Sequence, residues 1–288
     1  ICYRLRIYKV LREWKKEGWI ITPSFLTNKT GENIQDGISM TEERTFTIRL
    51  ADKRIRIVPM YENIREYCKE YIAEESDTVD FTVKTGVGDI QYEREHSDRE
   101  AVREGKEAVC YTDDYLETLA VYRQIAEWMP FQDTMLFHGS AVAVDGRAYL
   151  FTAKSGTGKS THTRLWREYF GERAVMVNDD KPLLRVTDDS VFVCGTPWNG
   201  KHRLSTNIEV PLTSICILTR AEENSIQRIT PSEAYPMLLQ QSYRPADTKA
   251  LAQTLMVLER LQEKVAFYRL GCNMSMEAAE VAYNGMKE

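Results

Sequence analysis

The sequence predicts an α/β protein with a small α+β unit on its N-terminal side. Three observations carry that expectation. An apolar run, Ala148-Tyr149-Leu150-Phe151, leads through a glycine-rich turn into an amphipathic segment, Thr161 to Phe170. Strand-like and helix-period segments alternate through the second half of the chain. Asp145-Gly146 sits between two apolar runs, a two-residue hairpin signal. The strand entering the glycine-rich turn therefore pairs antiparallel with its predecessor, unlike nucleotide folds whose neighbouring strands are mostly parallel.

In chain order, Phe46, Ile48 and Leu50 alternate with polar residues as a half-buried strand requires. Ala51-Asp52-Lys53 turns into a second strand with Ile55 and Ile57. Tyr61, Ile64, Tyr67, Cys68 and Tyr71 repeat at helical spacing, and Val79 to Val83 reads as a strand. The charged stretch Glu93 to Glu107 fits a loop or an exposed helix. A longer helix presents Tyr115, Leu119, Tyr122, Ile125 and Met129 on one face; Asp114 and Glu117 fit its N-cap and third position, and Pro130 ends it. Strands follow at Met135–His138, Val142–Val144, Ala148–Phe151, Ala174–Val177, Leu183–Val186, Val191–Cys194, Ser214–Leu218, Ile226–Ile229 and Val265–Leu270. Helices are expected over 161–170, 232–241, 248–263 and 275–286. The resulting organisation is a possible N-terminal appendage over 1–39, a small α+β unit over 40–110, and a larger domain over 111–288. The chain starts on Ile1, so the appendage reads as upstream readthrough, a piece of something longer, or an arm.

Composition narrows the function classes. At 288 residues, with 43% hydrophobic and 28% charged, the chain can bury a sizeable core. A net charge of −5 gives no global basic field of the kind that attracts nucleic acid. The basic stretch Arg4 to Lys16 reads as a solvated helix face before a nucleic-acid or membrane arm. Six cysteines and four histidines are scattered, with no C-x-x-C and no zinc-type cluster; Cys68 and Cys216 sit in apolar patterns and read as buried thiols. No apolar run approaches the ~18 residues of a membrane span, and the charged N-terminus is no signal peptide. A cytoplasmic address is the expectation.

Ala153-Lys-Ser-Gly-Thr-Gly-Lys-Ser-Thr161 is a phosphate-binding loop in the place its chemistry needs, between a strand and a helix. Glycines at Gly156 and Gly158 let backbone N–H groups turn toward phosphate oxygens, and the helix N-terminus adds partial positive charge. Ser155, Thr157 and Thr161 complete the cradle. Lys159 is placed to reach the β- and γ-phosphates, and Ser160 to hold Mg²⁺. ATP with Mg²⁺ is the expected ligand pair. The first glycine of the common pattern is Ala153 here. Lys154 adds a charge that faces γ-phosphate or solvent.

Asp179 and Asp180 end the next apolar strand. One carboxylate there can hold Mg²⁺ while its neighbour takes a proton from an attacking hydroxyl. His138 ends the strand before the hairpin, which can carry it toward the loop. Thr196 to Arg203 gathers positive charge after a strand; Lys201 and Arg203 suit phosphate or an acidic substrate, and Trp198 suits ring stacking or core packing. Gln240, Gln241 and Arg244 form a polar cluster with no role assigned.

The run from Leu136 to Leu184 resembles the HPr kinase/phosphorylase and phosphoenolpyruvate carboxykinase superfamily. His138-Gly139-Ser140-Ala141-Val142, the hairpin, Ser155-Gly156-Thr157-Gly158-Lys159-Ser160 and Asp179-Asp180 carry the resemblance. It implies a mixed β-sheet P-loop kinase core working on Mg²⁺-ATP. It also implies Asp179 as base, Asp180 as metal ligand (the two exchangeable) and His138 near the transferred phosphate. Lys154 stands where HPr kinases carry aspartate, so HPr itself is not the expected acceptor.

The expected activity is phosphoryl transfer from ATP to a hydroxyl on a protein, a peptide or a small metabolite. The alternatives are a nucleotide-sensing module without turnover and a reversible kinase/phosphorylase. The oligomeric state stays open, a homo-oligomer included.

Overall fold

The computed structural model describes residues 20–22, 25–27, 44–74, 78–103 and 105–287. The basic stretch Arg4 to Lys16, and most of the 1–39 appendage, lie outside them. Ile20–Thr22 (β1) and Phe25–Thr27 (β2) pair antiparallel. Phe46–Leu50 (β3) and Lys53–Val58 (β4) form a hairpin through Ala51 and Asp52, both at positive φ, and β4 pairs in parallel with Phe81–Lys84 (β5). The helix expected over 61–71 is shorter: Asn63–Tyr67 (α1), followed by a 3₁₀ turn over Lys69–Tyr71. The charged stretch from Glu93 belongs to a 17-residue helix, Val87–Arg103 (α2).

Asp113–Trp128 (α3) corrects two expectations. Its N-cap residue is Thr112, and its buried stripe is Leu116, Ala120, Val121 and Ile125, while Tyr115 is exposed. Glu117 does not turn back to the helix end. Its carboxylate is fully buried and accepts hydrogen bonds from the N–H groups of Met60 (2.6 Å) and Tyr61 (3.0 Å) and from the Thr85 hydroxyl (2.5 Å). Three donors satisfy the buried charge and tie α3 to the small sheet.

The large sheet is mixed. Its order is Thr134–Leu136 (β6), Leu183–Val186 (β10), Val191–Cys194 (β11), Glu209–Arg220 (β12), Arg147–Thr152 (β8), Ser140–Val144 (β7) and Ala174–Asn178 (β9). Ala266–Cys272 (β14) also pairs in parallel with the second half of β12, and Ser225–Ile229 (β13) closes that side. β12 runs to 12 residues, longer than the expected Ser214–Leu218, because one of its edges serves β11 and then β14. β7 and β8 pair antiparallel through Asp145 and Gly146, at φ 51° and 75°. Two left-handed central residues match the right-handed twist of the strands, the reason Asp-Gly favours this turn.

Helices cover both faces of the sheet. Along β8, Ala148 and Leu150 face one core, with Pro231–Gln241 (α5) and Thr248–Gln262 (α6). Tyr149 and Phe151 face the other, with Lys159–Phe170 (α4) and Glu277–Met286 (α7). That is why β8 reads as a continuous apolar run and not an alternation. A third cluster joins the small sheet to the large one: Ile48 and Ile57 pack with Val121, Ile125, Leu183 and Trp198. Cys68 and Cys216 are buried and unpaired, and burial raises both thiol pKa values, that of Cys68 to about 12. Among the described residues, no helix is long and apolar enough to cross a membrane.

Candidate functional site

β8 ends at Thr152, and the chain enters α4 seven residues later, at Lys159. Gly156 and Gly158 take φ values of 76° and 122°, a region that side chains with a Cβ rarely adopt. Thr157 N–H donates to the Lys154 carbonyl at 3.2 Å, closing the turn, and His162 N–H to Gly158 at 2.9 Å starts the helix. The first N–H groups of a helix have no intrahelical acceptor, so this end favours an anion. Ala153 explains its own departure from the common pattern. Its φ is not positive and its methyl is buried, so no glycine is required there.

Lys159 is 9% exposed, and its ammonium donates to the Ala153 carbonyl at 3.3 Å. Burial lowers its pKa; the charges of Asp180 and Asp179 oppose that without cancelling it. Asp179 is buried opposite. Its Oδ1 accepts the Ser140 hydroxyl at 2.7 Å, and Ser160 lines the same cavity. Burial raises the Asp179 pKa despite the bond from Ser140. Asp180 is partly exposed and paired with His138, Nε2 to Oδ1 at 3.2 Å. Burial pushes its pKa up, but the hydrogen bond from His138 and the charges of Lys181, His138 and Lys159 outweigh it, and the net shift is downward. The two adjacent carboxylates thus sit in opposite environments.

Asn178, which the sequence did not single out, aims this couplet. Its Oδ1 accepts the N–H groups of Asp180 (2.8 Å) and Lys181 (2.7 Å), and its amide donates to Thr196. An asparagine at a strand end before a turn is the available signal. Lys159, Ser160, Asp179, Asp180, His138 and Lys201 all line one cavity of 460 Å³. Ser155, Gly156, Gly158 and Thr161 join them from the loop, whereas Lys154 is exposed. His202 also faces this cavity and was missed, because only the loop's path reveals it.

Two loop residues are not where a substrate contact needs them. Trp198 is 6% exposed, packs against Tyr67 and Tyr122, and donates its indole N–H to Thr118 O at 3.1 Å; it is a core residue. Arg203 lies over the Tyr67 ring, 5.5 Å from its centroid, outside the cavity's walls.

A second cavity of 460 Å³ begins on the far side of the loop, sharing Gly156, Gly158 and Thr161, and is walled by Leu165, Leu218 and Met274. Arg220 braces the loop here, donating to Gly156 O (2.5 Å) and Thr157 O (3.4 Å). His162 is another wall residue. Trp166 Nε1 donates to its Nε2 at 3.0 Å, burial lowers its pKa to about 4, and Nδ1 has no partner. The neutral ring therefore carries its hydrogen on Nδ1.

Among the described residues, no group of three or more His, Cys, Asp and Glu side chains converges as a ready-made metal site. Mg²⁺ does not need one; it is commonly held by one or two carboxylates together with nucleotide phosphates and water. Ser160 and Asp179, on one cavity, fit that donor set.

No protein-family model matches the chain, and no curated protein matches it. One solved structure to which it is similar is the HPr(Ser) kinase/phosphatase from Coxiella burnetii, at 11% identity and a TM-score of 0.30, covering 52% of this chain and 94% of that one. Similarity at this level is too low to carry an inference.

Proposed function

We propose that this chain is a P-loop kinase, an ATP-dependent phosphotransferase assisted by Mg²⁺ that acts on a hydroxyl acceptor. The observation that carries this reading is the meeting of a buried ammonium, a helix-start hydroxyl and two carboxylates on one cavity at a phosphate loop. In this reading the loop and α4 bind the triphosphate through backbone N–H groups and Lys159. The base and sugar are assigned to the cavity beyond Gly156, walled by Leu165, Leu218 and Met274.

The two carboxylate roles, which the sequence left exchangeable, are assigned here from their surroundings. Asp179, buried on the cavity that Ser160 also lines, is assigned with it to Mg²⁺, the ion that neutralises charge on the phosphates when bound. Its raised pKa marks a carboxylate whose charge burial disfavours and a neighbouring cation favours. Asp180, held ionised and paired with His138, is assigned to receive the acceptor's proton. Lys159 and Lys201 supply positive charge around the transferring group. The second carboxylate favours turnover over pure sensing, since binding alone does not require it.

The test is transfer from γ-labelled ATP to a panel of proteins, peptides and hydroxyl metabolites, by wild type and Asp180→Asn. The variant is expected to lose at least ~100-fold in transfer rate while still binding ATP. Unchanged transfer in the variant, or wild-type hydrolysis to solvent alone, contradicts the proposal.

A further inference from the structure

We infer that the acceptor binds in a separate cavity between α2 and the C-terminal end of α5, and that it carries a carboxylate near its reacting hydroxyl. This rests on the kinase reading above. The cavity measures 550 Å³, within the roughly 300–1,000 Å³ of small-molecule sites. Its walls come from three places distant in sequence: His96, Glu100 and Arg103 on α2, His138 and Lys181 beside the carboxylate couplet, and Arg244 after α5. His138 lines both this cavity and the phosphate-loop cavity, and its Nε2 lies 3.2 Å from Asp180. A molecule seated here meets His138, the partner of Asp180, on the wall that the two cavities share.

The wall charges select the ligand. Arg103, Lys181 and Arg244 face the cavity with Glu100 as the opposing wall carboxylate. Arg103 is paired with Glu100 at 3.0 Å, and Lys181 stands 3.6 Å from Asp180. Arg244 has no such partner among the described residues. Its Nη1 donates to the carbonyls of Leu239 (2.8 Å) and Gln240 (3.2 Å), which fixes the guanidinium and leaves donors free. With Asp180 counted, three cations face two carboxylates. One surplus charge matches a monoanion, and a planar guanidinium matches a carboxylate in two-point contact.

Transfer then breaks the bond from the γ-phosphorus of ATP to its β,γ-bridging oxygen. The acceptor oxygen bonds to that phosphorus, its proton passes to Asp180, and ADP leaves. The carboxylate can belong to a free hydroxy acid or to the end of a peptide.

Matched acceptors distinguish these. L-serine, glycerate and a tripeptide ending in serine are each compared with their amides for ATP-dependent phosphorylation. The carboxylate form of at least one pair is expected to exceed its amide by about 10-fold or more in kcat/KM. Arg244→Gln is expected to erase that preference with ATP binding intact. Arg103→Gln, on the facing wall, is the second variant should Arg244→Gln melt early. Which pair shows the preference separates a free acid from a peptide end. Equal use of amides and carboxylates, or a preference that survives both substitutions, overturns the assignment. So does ATP binding with no transfer to any member, which leaves the nucleotide reading standing. Failure of the wild type to bind ATP overturns both.

Discussion

His162 combines burial, a fixed tautomer and a position beside the glycine-rich loop. Its pKa falls from 6.5 to about 4 because desolvation penalises the imidazolium. Between those pH values the unfolded chain binds a proton that the folded chain refuses. Stability from this residue is therefore full above pH ~6.5 and declines as pH falls toward ~4, by about 3 kcal/mol in all. Urea unfolding at pH 7 and pH 4.5 measures this. His162→Gln, which keeps an acceptor for Trp166, is expected to show a much shallower decline than wild type. An equal decline in both places the acid sensitivity elsewhere. Asp179 and Asp180 make the same point in opposite directions: burial raises the pKa of one, while at the other the hydrogen bond from His138 and nearby cations outweigh burial. Their order in the sequence says nothing of this.

At the scale of elements, the site is a junction of strand ends. β8 delivers the glycine-rich loop, β9 delivers Asn178 and the couplet, and the turn before β7 delivers His138. Gly195, just after β11, lets the 205–208 segment approach the end of β9. A Cβ there would lie 1.9 Å from Thr206 O and 2.9 Å from Val177 O, both rigid backbone atoms. Gly195→Ala is expected to destabilise the protein by about 3 kcal/mol or more, as overpacking against backbone does. Denaturant titration reads this directly; a loss below ~1 kcal/mol shows that the segment yields freely. Arg220 is a second element-scale device, reaching from the end of β12 to hold the loop at Gly156 and Thr157.

Across the whole molecule, what could be read from the sequence is what nearby residues determine. The glycine-rich turn between β8 and α4 and the Asp145-Gly146 hairpin depend on neighbours a few residues apart, and both lie where their patterns placed them. Trp198 could not be placed this way, because its indole partner lies 80 residues away at Thr118. Arg220 meets the loop across 64 residues, and Glu117 meets Met60 across 57. The stripe on α3 was misread because Tyr115, though apolar in body, keeps its ring at the surface, while Glu117 is drawn inside by three donors. The third core cluster, spanning both sheets, was invisible for the same reason: its members are contributed from residue 46 to residue 198.

The proposed function requires that this loop bind a nucleoside triphosphate through Lys159. Calorimetric titration of Mg²⁺-ATP into wild type and Lys159→Ala, with circular dichroism to verify folding, tests it most directly. Saturable binding by the wild type, weakened at least ~10-fold in the variant, is the expected result. Equal affinity in the two proteins, or no binding by the folded wild type, contradicts it.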